Sequence, residues 1–107
     1  MQEQRLFKRY KVRIPFRFME TGKNKEGVGE ITDISASGAG MIVTCEKLQL
    51  LSRLEMWLEI PNSPEPLQAS GRVEWLKNVA PGIFRIGIRF DKVDFMAISR
   101  VFKIGSS

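Results

Sequence analysis

The chain has 107 residues, 43% hydrophobic and 27% charged, which bounds it to one ordinary globular domain with a single core. It has no histidine and one cysteine, Cys45, so the usual zinc ligand sets, a Ser-His or Cys-His nucleophile pair and an internal disulfide are excluded, and neither an enzyme nor a metal site is expected. Seventeen Lys and Arg against twelve Asp and Glu give a formal charge of +5 and a pI near 9.7, a balance that favours anionic partners.

The first residues, MQEQRLFKRYK, contain no apolar stretch of signal-peptide length, and eighteen apolar residues never run together, so a cytoplasmic protein without membrane insertion is expected. Arg5, Lys8, Arg9, Lys11, Arg13 and Arg17 crowd this end, which makes residues 1–11 a basic N-terminal arm and 12–107 the folded domain. From Val12 the pattern alternates, with Val12, Ile14, Phe16 and Phe18 on one face, as a half-buried strand requires. Pro15 lacks a donor and points to an edge. TGKNKEG reads as a turn, GVGEITDI as a strand returning on the first, and AGMIVT, after DISASG, as a third strand. CEKLQLL is amphipathic but too short to assign.

RLEMWLEI alternates again, with Leu54, Met56, Leu58 and Ile60 inward, until the prolines of PNSPEP stop it. LQASGRVEWL places Leu67, Ala69, Gly71, Val73 and Trp75 on one face, and after NVAPG the strand IFRIGIRF buries Phe84, Ile86, Ile88 and Phe90, forming a second hairpin. Val93, Met96, Ala97, Val101 and Ile104 change to helical spacing, with Asp91 or Asp94 as N-cap. The fold class is therefore all-β: six short strands forming a small antiparallel β-barrel, closed off by a C-terminal α-helix. Trp75 is expected in the core, Trp57 half covered against the terminal helix, and Cys45 as a small packing residue. Arg72, Arg85 and Arg89 fall on the solvent-facing phase.

Two stretches remain. DISASG, Asp33 to Gly38, is chemically sufficient as a tight turn, since Asp and Ser bond nearby backbone and Gly supplies positive φ. RYKVR, Arg9 to Arg13, is by itself an ordinary solvated charge run. Taken together they are complementary to a guanine nucleotide. Guanidiniums grip phosphate and fork onto guanine O6 and N7, whereas a carboxylate accepts from base N–H donors.

The two stretches resemble the two motifs of the PilZ domain, the bacterial receptor module for cyclic di-GMP. The family's RxxxR is similar to Arg9-Tyr-Lys-Val-Arg13, and its [D/N]xSxxG to Asp33-Ile-Ser35-Ala-Ser-Gly38. GRVEWL, GIFRIGIRF and a short terminal helix extend the likeness over nearly the whole chain. The resemblance implies a six-stranded barrel whose ligand lies beside the N-terminal arm. It assigns Arg9 and Arg13 to phosphates and guanine Hoogsteen edges, Asp33 and Ser35 to a guanine edge, and Gly38 to the shape of the turn. Arg5, Lys8 and Gly40 are candidate additional contacts. No cofactor other than the ligand cyclic di-GMP is implied; ligand binding would order the arm and signal to a partner protein. Two other functions compete: a nucleotide-independent interaction domain of the same fold, and a small-barrel nucleic-acid binder offering Tyr10 and Trp57 for base stacking.

Overall fold

Alternation of apolar and polar residues along short segments makes strands, and the strands here bury one common face. The computed structural model describes residues 9–93. The strands are β1 (Tyr10–Glu20), β2 (Lys25–Ile34), β3 (Gly38–Thr44), β4 (Arg53–Leu58), β5 (Leu67–Ala80) and β6 (Ile83–Val93). They close into the antiparallel barrel expected from the sequence, and its strand order is β1-β2-β3-β6-β5-β4. Among the described residues there is no helix; the expected terminal helix and the part of the arm before Arg9 lie outside them.

Ile14, Ile31, Ile34, Met41, Leu54, Met56, Leu58, Val73 and Ile86 fill the interior and are almost fully buried. Each such side chain contributes about 1.5–3 kcal/mol by leaving water. Cys45 packs at the margin of this core, where burial and then the charge of Glu20 push its thiol pKa up and keep it protonated and unreactive.

Neighbours in sequence are neighbours in the barrel except for β3 and β4, whose connection crosses one end. CEKLQLL forms this crossing without regular structure. Leu48 plugs the interior, and the loop is clamped to β5 by Leu51 N–H donating to Val73 O (2.8 Å) and Val73 N–H donating to Ser52 O (2.9 Å).

Pro15 marks a local edge within a sheet that has closed. The β1–β4 ladder ends at Phe16 opposite Leu58. Beyond it Glu59 N–H donates to Pro15 O at 2.9 Å, and proline has no N–H to return the bond. The half of β1 that leads toward Arg9 therefore pairs with β2 alone.

Three expectations need correction. Trp75 is half exposed and outside the core, because Glu74 is an extra residue between the pairs Val73–Ile88 and Trp75–Gly87. This bulge inverts the alternation and turns Leu76 inward instead. Asp91 is no helix cap: β6 continues to Val93, and the Asp91 carboxylate accepts from Arg53. Val93, assigned to the helical face, pairs with Ala69 in the sheet.

At one end of the barrel the inward phase of β1 continues from Phe16 and Phe18 to Glu20, a carboxylate 4% exposed. It accepts from the Ser52 hydroxyl at 2.9 Å and pairs with Lys23 at 3.3 Å, tying the β1–β2 turn to the crossing loop. Replacing Glu20 with Ala should cost about 1–3 kcal/mol in urea unfolding; a midpoint equal to that of the wild type would refute this role.

Candidate functional site

Two successive bulges bring the two sequence motifs together. Strict alternation from the inward Ile31 would aim Asp33 into the core. Instead Thr32 is an extra residue between the β2–β3 pairs Ile31–Met41 and Asp33–Gly40, so Asp33 faces outward and Ile34 is buried. The Thr32 hydroxyl fixes this bulge by donating to Gly40 O at 3.2 Å. β1 carries its own extra residue over the same stretch, between Lys11 opposite Asp33 and Ile14 opposite Ile31. Bulges of this kind re-aim side chains beside functional sites.

The outcome is a direct contact between the motifs. The Arg9 guanidinium donates to the Asp33 carboxylate, both groups remaining partly open to water. Arg13 does not converge with Arg9 here. It lies on the outer face of β1 with its side chain 85% exposed, and its Nε is 3.6 Å from the Glu30 carboxylate. Ion pairs this exposed contribute only about 0–1 kcal/mol, so an incoming anion recruits either arginine at small cost.

Ser35 and Gly38 build the turn from within. Ser35 is 2% exposed; its N–H donates to Gly38 O at 2.8 Å, and its hydroxyl accepts from the amides of Ser37 and Gly38, both at 3.3 Å. Gly38 is pressed onto β6, where an added Cβ would come within 2.1 Å of Ile88 O, and Phe90 N–H donates to Ser37 O at 2.9 Å. Gly40 lies under the Asp33 carboxylate, with Oδ2 2.6 Å from the place of a Cβ. Arg5 and Lys8 lie outside the described residues. Among the described residues no group of three His, Cys, Asp or Glu side chains is placed to hold a metal ion.

A family model described as the PilZ domain matches residues 3–101. The chain belongs to the PilZ domain family. Solved structures share the fold at low identity. The PilZ domain of YcgR from Escherichia coli, described with c-di-GMP, is 15% identical with a TM-score of 0.73, the match covering 97% of this chain and 92% of that one. A K. pneumonia MrkH–c-di-GMP complex is 15% identical with a TM-score of 0.70, covering 96% of this chain and 50% of that one. The Bacillus subtilis inhibitor of motility MotI/DgrA is 13% identical with a TM-score of 0.68, covering 90% and 46%. This PilZ domain thus spans about half the length of the latter two chains. Comparison with curated proteins gives no match.

One residue of this face was not predicted. Trp75 stands in the same cross-strand row as Asp33, through the pairs Asp33–Gly40, Gly40–Gly87 and Gly87–Trp75. The available signal was Gly87, a glycine between two buried isoleucines of a strand, which marks a close approach to its outer side.

The two glycines of the motif region differ in what they meet. A Gly38→Ala change collides with backbone and should cost several kcal/mol, more than the roughly 1–3 kcal/mol typical of overpacking. Gly40→Ala meets a side chain that can rotate away, so it should be milder while displacing Asp33. Thermal unfolding of the two variants checks the order; equal losses would contradict this account of the turn.

Proposed function

We propose that this PilZ domain is a cyclic di-GMP receptor that works by binding and not by catalysis. The observation that carries the reading is the Arg9–Asp33 contact, which unites the two motifs on one outer face of a rigid barrel. Family membership and the likeness to two structures described with c-di-GMP support it.

The ligand offers two phosphates and two guanines. Arg9 and Arg13 supply planar, bidentate donors for phosphate or for guanine O6 and N7. Asp33, released from Arg9, accepts from guanine N–H donors. Ser35 and Gly38 hold the turn that presents Asp33, and Gly40 gives its carboxylate room to lie on the sheet. Because, among the described residues, the Arg9 side chain is held by one partly exposed ion pair, ligand capture reorganises the arm, residues 1–11, and changes the surface offered to a protein partner. Such a receptor acts in the bacterial cytoplasm, where its second-messenger ligand is made.

Calorimetric titration with cyclic di-GMP should give saturable binding, with GTP and single-stranded RNA far weaker. Arg9→Ala, Arg13→Ala and Asp33→Ala should each weaken it about tenfold or more, the value of a charge-assisted hydrogen bond. A wild-type chain that gives no heat, or variants that bind as well as the wild type, would overturn the reading.

A further inference from the structure

The crossing loop CEKLQLL carries three leucines, and the barrel buries one of them. Leu48 fills the interior, whereas Leu50 and Leu51 stand 54% and 58% exposed. Val79, 46% exposed, joins them at the same end of the barrel. It is the extra residue at the tip of the β5–β6 hairpin, where Gly82 O accepts from Cys45 N–H, at the start of the loop, at 3.0 Å.

Leu51 breaks a backbone rule as well. Among the described residues Gly22, Gly82, Asn24 and Asn62 have positive φ, and all four are types that accept the left-handed region; Leu51 shares it at φ 66°. A bulky side chain is strained there, and glycine would not be. The conformation is held by the bond from the Leu51 amide to Val73 O and by Ser52 N–H donating to Gln49 O at 3.3 Å. The side chain so presented takes no part in the core. Strain maintained under an exposed apolar side chain brings the fold no return in packing and marks functional surface.

Charge decides what covers this tip. The segments that form it, residues 20–26, 45–52 and 79–83, contain Lys23, Lys25 and Lys47 against Glu20, Glu26 and Glu46, and are neutral in a chain of formal charge +5. An anionic lipid surface or an acidic protein is drawn to the basic residues around Arg9 and Arg13, not to this end. Two copies of a positively charged chain repel one another unless they meet through a neutral region. A rim with both signs is complementary to its own image across a two-fold axis. This end, marked by Glu20 opposite Leu54, is also remote from the ligand site, which lies toward the end marked by Tyr10 opposite Ile34.

We infer that Leu50, Leu51 and Val79 form the contact of a symmetric dimer, with a second copy of this chain as the partner. The leucine pair of each protomer packs on that of the other, and the lysines of each rim face the glutamates of the other. The patch is smaller than the roughly 20–30 residues a side of a standard interface, so the dimer is weak and forms at high protein concentration. Joined at these ends, both Arg9–Asp33 sites stay open, which makes the dimer bivalent. The inference does not depend on the cyclic di-GMP reading.

Sedimentation velocity from micromolar to millimolar protein should show the mass rising from 12.2 kDa toward twice that value. Leu50→Glu, which puts a carboxylate into the contact, and Leu51→Gly, which removes an anchor, should each lower the association constant about tenfold or more. At a concentration where the wild type is monomeric, so that association does not shift the transition, Leu51→Gly should raise the thermal midpoint by relieving the strained φ, and Leu50→Glu should leave it unchanged. A chain still monomeric at millimolar concentration, or variants that associate as readily as the wild type, would overturn the inference. So would a lowered midpoint in Leu51→Gly, because the side chain would then serve the fold. A monomer that binds phosphatidylcholine vesicles, and loses them on Leu50→Glu, would assign the tip to lipid and overturn the second copy as its occupant. Association as described in a chain that binds no cyclic di-GMP upholds the dimer and overturns the receptor reading alone.

Discussion

The β3–β6 ladder is the seam on which everything else in this barrel depends. Every other pairing joins strands that follow each other in the chain or closes β4 onto β1 once the rest is in place. Along this seam the backbones meet through glycine. Gly38 leaves no room for a side chain before Ile88 O, and Gly40 faces Gly87 directly. Bare backbone does two things at once. It lets the motif turn seat against β6, and it leaves a shallow strip of sheet on which flanking side chains lie flat. Asp33 covers one glycine and Trp75 the other, which is why both glycines are buried although they face outward.

Bulges supply the second constraint. A strict two-residue period would have sent Asp33 inward and Trp75 into the core, and both are turned outward by one extra residue nearby, Thr32 and Glu74 respectively. The cost of each irregularity is a lost ladder bond, offset for Thr32 by the bond from its hydroxyl to Gly40 O. Sites built on rigid strands in this way hold side chains more tightly than loops do. The weak exposed pairs of Arg9 and Arg13 are then the adjustable components on an otherwise fixed surface.

Much of this was legible in the residues. Alternation located all six strands and the inward residues of β1, β4 and β6 and most of those of β5, because burial on one face forces a period of two and the turn residues punctuate it; the buried residues of β2 and β3 and Leu48 were not assigned. The motifs located Arg9 and Asp33, although nothing in their spacing reveals that the two side chains touch. What alternation misses is any change of phase, since a bulge adds a residue without a compositional mark. Trp75 was therefore read as core, and Asp91 and Val93 were given to a helix when β6 still had Ser70 and Ala69 to pair with. Ser35 illustrates another limit: its hydroxyl is suited to a ligand or to a turn, and the sequence does not reveal that it is buried and bonded within the turn.

The central claim is the proposal that the outer face on which Arg9 meets Asp33 over Gly40 receives cyclic di-GMP. The most direct measurement is an amide-resolved NMR titration of the isotopically labelled chain with that ligand. The account predicts that the amides of Asp33, Gly40 and Gly87 shift together and saturate at one midpoint, while the row of Trp57, Arg17 and Val28 stays still. Shifts confined to that second row, or none along the glycine strip at saturating ligand, would contradict it.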